Sequence, residues 1–126
     1  MIVAGFGFRS GVSLSSLREA FALAGQGHPP VTHLATARDK AGALIPLAEA
    51  LGLPVAGVAP EALAAAPTVT CSAASLAARH AGSVAEASAM AAAGAGARLL
   101  APRQISSDRM ATCAIAASAT LQGTPI

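Results

Sequence analysis

Four short stretches carry the side chains that could do chemistry. The first is Gly5-Phe-Gly-Phe-Arg-Ser-Gly11, three glycines with Arg9 and Ser10 among them. Glycines let backbone N–H groups approach an anion closely, and Arg9 adds a full positive charge. A bare tight turn and an anion cradle both satisfy this spacing, and Arg9 with Ser10 tilt the reading toward the cradle. It is not a dinucleotide fingerprint: the third glycine falls one place late, and no acid stands at a strand end about twenty residues on. Nor is it a P-loop, since no Gly-Lys-Ser/Thr follows. The second stretch, Thr36-Ala-Arg-Asp-Lys40, contains the single lysine of the chain. Asp39 suits the first turn of a helix, where it meets the positive end of the dipole, with Lys40 in solvent. The third, Ser83-Val-Ala-Glu86, reads as a capping box in which Ser83 takes a helix N–H and Glu86 turns back toward Ser83. A catalytic Ser–Glu pair would need a further partner, although the helix start could still receive a ligand carboxylate. In the fourth, Arg103 and Arg109 flank Ser106, Ser107 and Asp108, either as a solvated hairpin tip or as forks for carboxylates. Thr112 and Cys113 beyond them lie in a strand, where packing is the simplest role.

The elements that must position these residues follow from apolar periodicity. Met1–Ala4 is a short apolar run, ended by the glycine loop Gly5–Gly11. From Ser13 to Ala24, Leu14, Leu17, Phe21 and Ala24 fall on one helical face. Gly25 to Pro30 is a loop. Val31–Thr36 alternates as a second strand. A helix is predicted over Arg38–Leu51, opened by a Thr36–Asp39 cap and kinked or delayed by Pro46. Leu53–Val58 is a third strand and Pro60–Ala66 a short helix with proline in its first turn. This β-α-β-α-β-α order implies parallel strands with right-handed crossovers. Pro67–Cys71 is a brief strand or a link, Ser72–Ala81 a helix, and Ala85–Ala93 another, closed by Gly94. Ala89–Ala97 reads either as a tightly packed helix or as a loose turn. Ala97–Ala101 and Met110–Ala116 are strands, joined by a polar loop Pro102–Asp108 short enough to make them antiparallel. The sheet is therefore mixed, with residues 1–119 as one domain and Thr120–Ile126 as a tail.

Composition narrows the function. The chain has 126 residues, 54% hydrophobic and 11% charged, with no Trp or Tyr and 35 alanines. So few charges leave part of the surface apolar, and a homodimer is one way of covering it. A net charge of +2, with aromatic side chains limited to Phe6, Phe8 and Phe21, argues against nucleic acid. The basic residues are seven Arg and one Lys, scattered as suits carboxylate clamps. No secretory leader or membrane span is predicted, which points to the cytoplasm. Cys71 and Cys113 read as reduced thiols, and His28, His33 and His80 have no metal-ligand spacing. No metal or cofactor is called for.

Taken together, Gly5–Gly11, Leu34-Ala-Thr-Ala-Arg-Asp-Lys-Ala41, Gly82-Ser-Val-Ala-Glu-Ala87, Arg103 and Met110-Ala-Thr-Cys-Ala-Ile-Ala116 resemble the CobE/CbiG C-terminal domain family of cobalamin (vitamin B12) biosynthesis. The resemblance runs from Ile2 to about Ala116 and is carried by the order and spacing of the motifs, none diagnostic alone. It implies a three-layer α/β/α sandwich with a mixed, mostly parallel sheet ending in an antiparallel hairpin. It also implies the free-standing form of the domain, whose longer relatives open the lactone of cobalt-precorrin-5A with loss of acetaldehyde. The family's recurring positions fall on Gly5, Gly7, Arg9, Gly11, Thr36, Lys40, Ser83, Glu86 and Thr112. The family pattern carries an acid three places after the lysine, where this chain has Ala43.

Three functions follow from that resemblance. The first is binding of a corrinoid or precorrin through its peripheral carboxylates. It uses Arg9, Lys40 and Arg103 as cations, with Gly5, Gly7, Ser10, Gly11, Thr36, Ser83 and Thr112 around them. The second is a lactone hydrolase with Glu86 or Asp39 as general base and Lys40 stabilising the oxyanion. The third is a non-catalytic module that docks on other enzymes of the pathway.

Overall fold

The computed structural model describes residues 1–68 and 83–119. The predicted helix Ser72–Ala81, with Cys71, His80 and the tail from Thr120, lies outside them. Five strands form one sheet: β1 (Ile2–Phe8), β2 (His33–Ala37), β3 (Val55–Val58), β4 (Arg98–Ile105) and β5 (Ala111–Ala117), in the order β3-β2-β1-β5-β4. β1 pairs in parallel with β2, and β2 with β3. β5 runs antiparallel to both β1 and β4. The sheet is mixed, as the short loop between the last two strands predicts.

Alternation along β1 separates two cores. Ile2, Ala4 and Phe6 face a layer made by α1 (Leu14–Gly25) and α2 (Ile45–Leu51), joined there by Leu17, Leu34, Leu47 and Ile115. Val3 faces the opposite layer, of α3 (Pro60–Ala65) and α4 (Val84–Ala93), with Ala35, Leu63, Ala89 and Ala116. The molecule is thus an α/β/α sandwich with β1 at its centre. Alanine dominates the second core because α4 lies close to the sheet.

Local signals explain most element ends. Ser13 caps α1, its Oγ accepting Ser16 N–H at 3.1 Å. Ser83 caps α4, its Oγ accepting Glu86 N–H at 3.2 Å, and Gly94 closes that helix at φ +96°. Ala89–Ala93 is therefore packed helix, and the chain turns only after it. The predicted helix Arg38–Leu51 is two elements: a 3-10 helix over Arg38–Leu44, then α2 from Ile45 with Pro46 in its first turn. Pro46 lacks an N–H and its ring clashes one turn back, so the regular helix starts only where that does not matter. The expected Thr36–Asp39 cap is absent. Ala37 occupies the cap position, and Thr36 Oγ1 instead donates to Phe6 O at 2.8 Å in the sheet.

The loop after β4 is shorter than predicted, because β4 continues to Ile105 through two register shifts. Pro102 is tolerated there since β4 is an edge strand. The remaining turn is fastened to α1: Asp108 accepts from Ser106 Oγ, Ser16 Oγ and Met110 N–H, while Glu19 takes Ser107 N–H and Oγ. The hydrogen bond from Ser106 does most, followed by that from Ser16, to hold the Asp108 carboxyl below its usual range. A lowered folded pKa stabilises the fold above the unfolded value of about 3.9, and that contribution is lost as pH falls through the folded value. Asp108→Asn is therefore expected to lower the urea midpoint at pH 6 and to flatten its decline between pH 4 and pH 2. Parallel declines in the two proteins would refute the clamp.

Candidate functional site

The carboxyl end of β1 gathers most of the predicted residues. β1 is the strand where the order of connections reverses, and α1 and α4 both start at this edge on opposite faces. In open α/β sheets ligands bind in the crevice outside such a point. Arg9 and Ser10 are exposed just beyond β1, and Gly11 takes a left-handed turn at φ +81°. Arg9 N–H bonds to Met110 O at 2.9 Å, joining this turn to the hairpin. From the 3-10 helix, Lys40 Nζ donates to Phe8 O at 2.8 Å and stands 5.3 Å from the Phe8 ring centroid. Asp39 precedes it at the same edge. Thr112 Oγ1 donates to Gly7 O at 3.1 Å.

Two predicted roles change. Gly5 and Gly7 belong to β1, so the loop begins only at Arg9. A Cβ at Gly5 would stand 2.1 Å from Ala85 O, and one at Gly7 would stand 2.9 Å from Thr112 Oγ1 and 3.3 Å from Val84 Cβ. Gly5 admits the backbone of α4, Gly7 makes room for the Thr112 hydroxyl and Val84, and neither forms the loop expected to cradle an anion. The other change is at Glu86, which is fully buried. Its Oε2 accepts Arg103 N–H at 2.8 Å, across to β4, a partner that the capping motif does not include.

Arg103 itself is half-buried within β4, two strands from β1, and not in a loop. Arg109 is exposed at the hairpin tip with φ +62°. Cys113 is enclosed in the core, and burial pushes its thiol pKa well up, so it is a packing residue. The sequence reading missed Phe8, which supplies both a carbonyl and a ring face to Lys40. An aromatic between Gly7 and Arg9 at a strand end was the available signal. Among the described residues no group of His, Cys, Asp and Glu could hold a metal ion, and no helix is long and apolar enough to cross a membrane. A cavity of about 360 Å³, lined by Ala62, Met90 and Ala97 among others, sits at the far end of α4 and has no charged lining.

The fold and this edge define a class: an α/β/α domain presenting cations and helix starts at the switch point of a mixed sheet. The family model for the cobalamin synthesis G C-terminus matches residues 2–116, and the chain belongs to that family, a family of cobalamin biosynthesis proteins. It is similar to the crystal structure of CobE, a protein from the cobalamin (vitamin B12) biosynthetic pathway. Their identity is 34% and TM-score 0.80, over 92% of this chain and 89% of that one. It is also similar to the cobalamin biosynthesis protein chiG from Agrobacterium tumefaciens, at 37% identity and TM-score 0.72, over 94% and 99% of the two chains. A cobalamin biosynthesis protein G homologue from Sulfolobus solfataricus shares the fold at 19% identity and TM-score 0.70, this chain matching 36% of that longer one. A search of curated proteins found no match.

Proposed function

We propose that this protein binds a corrin or precorrin intermediate of cobalamin biosynthesis through its peripheral carboxylates, as a cytoplasmic binding or carrier protein. Such intermediates are large, flat and apolar, fringed by acetate and propionate groups. A site for one needs several anion donors around an apolar floor. The observation that carries the reading is Lys40, held 2.8 Å from Phe8 O and over the Phe8 ring, beside Arg9. An ammonium has three donors, so the bond to Phe8 O leaves two for a ligand. Arg103 adds a second cation on the β4 side, and Ser10, Gly11, Ser83, Thr36 and Thr112 border the same edge. Membership of the family supports this ligand class.

The hydrolase reading is less well supported. A general base must reach the water it deprotonates; of the two candidates Glu86 is buried with its Oε2 on Arg103 N–H, which leaves Asp39, exposed beside Lys40. Titrating hydrogenobyrinate and following its absorbance tests the proposal. Charge-assisted hydrogen bonds contribute roughly 1.5–3 kcal/mol, so Lys40→Ala is expected to weaken binding about tenfold or more. The exposed Arg9→Ala should cost less, and added salt should weaken the unmodified protein. Equal affinity in all three proteins would remove these cations from the site. Sustained acetaldehyde release from a lactone-bearing precorrin would replace binding by hydrolysis.

A further inference from the structure

We infer that Glu86 is a positioning residue that fixes Arg103 at the ligand edge, an inference that rests on the binding role proposed above. The starting point is the pairing of β4 with β5. Between Ala101 and Gln104 β4 advances three residues, while β5 advances two, from Ile115 to Cys113. One residue too many makes a bulge, which bends a strand, re-aims its side chains and leaves backbone groups outside the ladder.

The bulge spans Pro102 and Arg103. Pro102 has no N–H to lose. Arg103 has one, and Glu86 Oε2 accepts it at 2.8 Å from the first turn of α4. A buried carboxylate is costly unless it is hydrogen-bonded, and here it is bonded to an N–H that the bulge takes out of the regular ladder. Glu86 also sits where the helix dipole favours negative charge, and Ser83 Oγ holds its N–H. The start of α4 is thereby tied to the backbone of Arg103. Any tilt of α4 moves the bulge, and with it the guanidinium that β4 presents. Glu86 needs no contact with ligand to control affinity.

The bond can be read without ligand, from the exchange rate of the Arg103 amide proton by NMR on the full chain. Glu86→Gln keeps an oxygen acceptor of the same length, and Glu86→Met keeps the volume without one. The amide should stay protected in the unmodified protein and the Gln variant, and exchange about tenfold faster or more in the Met variant. Hydrogenobyrinate titration then separates positioning from simple packing. Glu86→Met should weaken binding as much as Arg103→Ala, the double variant no more than Arg103→Ala alone, and Glu86→Gln within about threefold of the unmodified protein. Unchanged Arg103 exchange in the Met variant, or multiplying effects in the double variant, overturns the inference. Should the Met variant not fold, Glu86→Asp, one methylene too short to reach, takes its place with the same expectation. An unmodified protein that binds no hydrogenobyrinate removes the binding role, while the Arg103 exchange rates still decide for or against Glu86.

Discussion

Gly5→Ala is expected to destabilise the protein by about 3 kcal/mol or more, the upper range for an overpacked core. The added Cβ would lie 2.1 Å from Ala85 O, 2.5 Å from Ala89 N and 2.9 Å from Ala89 Cβ. Two of these atoms are helix backbone, so no rotamer change relieves the clash. α4 must lift from β1 as a body. Because α4 carries Ser83 and Glu86, the same substitution should also disturb the Arg103 bulge and weaken any ligand held there. Gly25→Ala is the control: a Cβ there meets nothing within 4 Å, and its effect should stay within about 1 kcal/mol. Urea unfolding of both variants measures the contrast. Equal midpoints for Gly5→Ala and the unmodified protein would mean that α4 does not pack as described.

Phe6→Ala is expected to cost about 3–5 kcal/mol, a large part of the roughly 5–15 kcal/mol that holds a domain of ordinary stability. Phe6 is fully buried in the layer opposite α4 and stacks on Phe21, with centroids 6.3 Å apart and planes at 19°. Its neighbours Leu17, Leu34, Leu47 and Ile115 are already packed in the same core, so removing the ring leaves a void. Phe6→Leu, which leaves a smaller void, should cost less than half as much. Thermal and urea unfolding of the pair check this. A Phe6→Ala protein as stable as Phe6→Leu would show that the α1 layer collapses onto the void.

Both effects arise in one strand, because β1 turns alternate residues to two different layers. Phe6 supplies bulk to one side and Gly5 an absence of bulk to the other. This division also shapes the proposed site. α4 comes close to β1 at Gly5 and Gly7, with Val84 and Thr112 around Gly7, while Lys40 meets the next residue, Phe8, through its carbonyl.

Much of this was legible along the chain. Ser83 caps the helix it was expected to cap, and Ser13 caps α1 by the same local rule, because an N-cap involves residues only three apart. Pro46 forecast a delayed helix for an equally local reason. The antiparallel last pair follows from a loop too short for a crossover, and family membership from motifs in order over residues 2–116.

The remainder depended on partners distant in sequence. Gly5 and Gly7 read as a loop because glycine favours turns; pairing with β2 and with β5 makes them strand residues, and at Gly5 the approach of α4, some eighty residues on, leaves no room for a side chain. Glu86 carried a capping signature, but nothing local announced that its Oε2 would also take Arg103 N–H, which a bulge in β4 makes available. Thr36 left its expected cap for Phe6 O, and Lys40 found its seat on Phe8 in the same way. By itself, then, the sequence determined the caps, the alternation of strands and helices, and the family. Which face each glycine, carboxylate and cation meets was decided only by tertiary packing, because close approach and hydrogen-bond choice are properties of two segments and not of one.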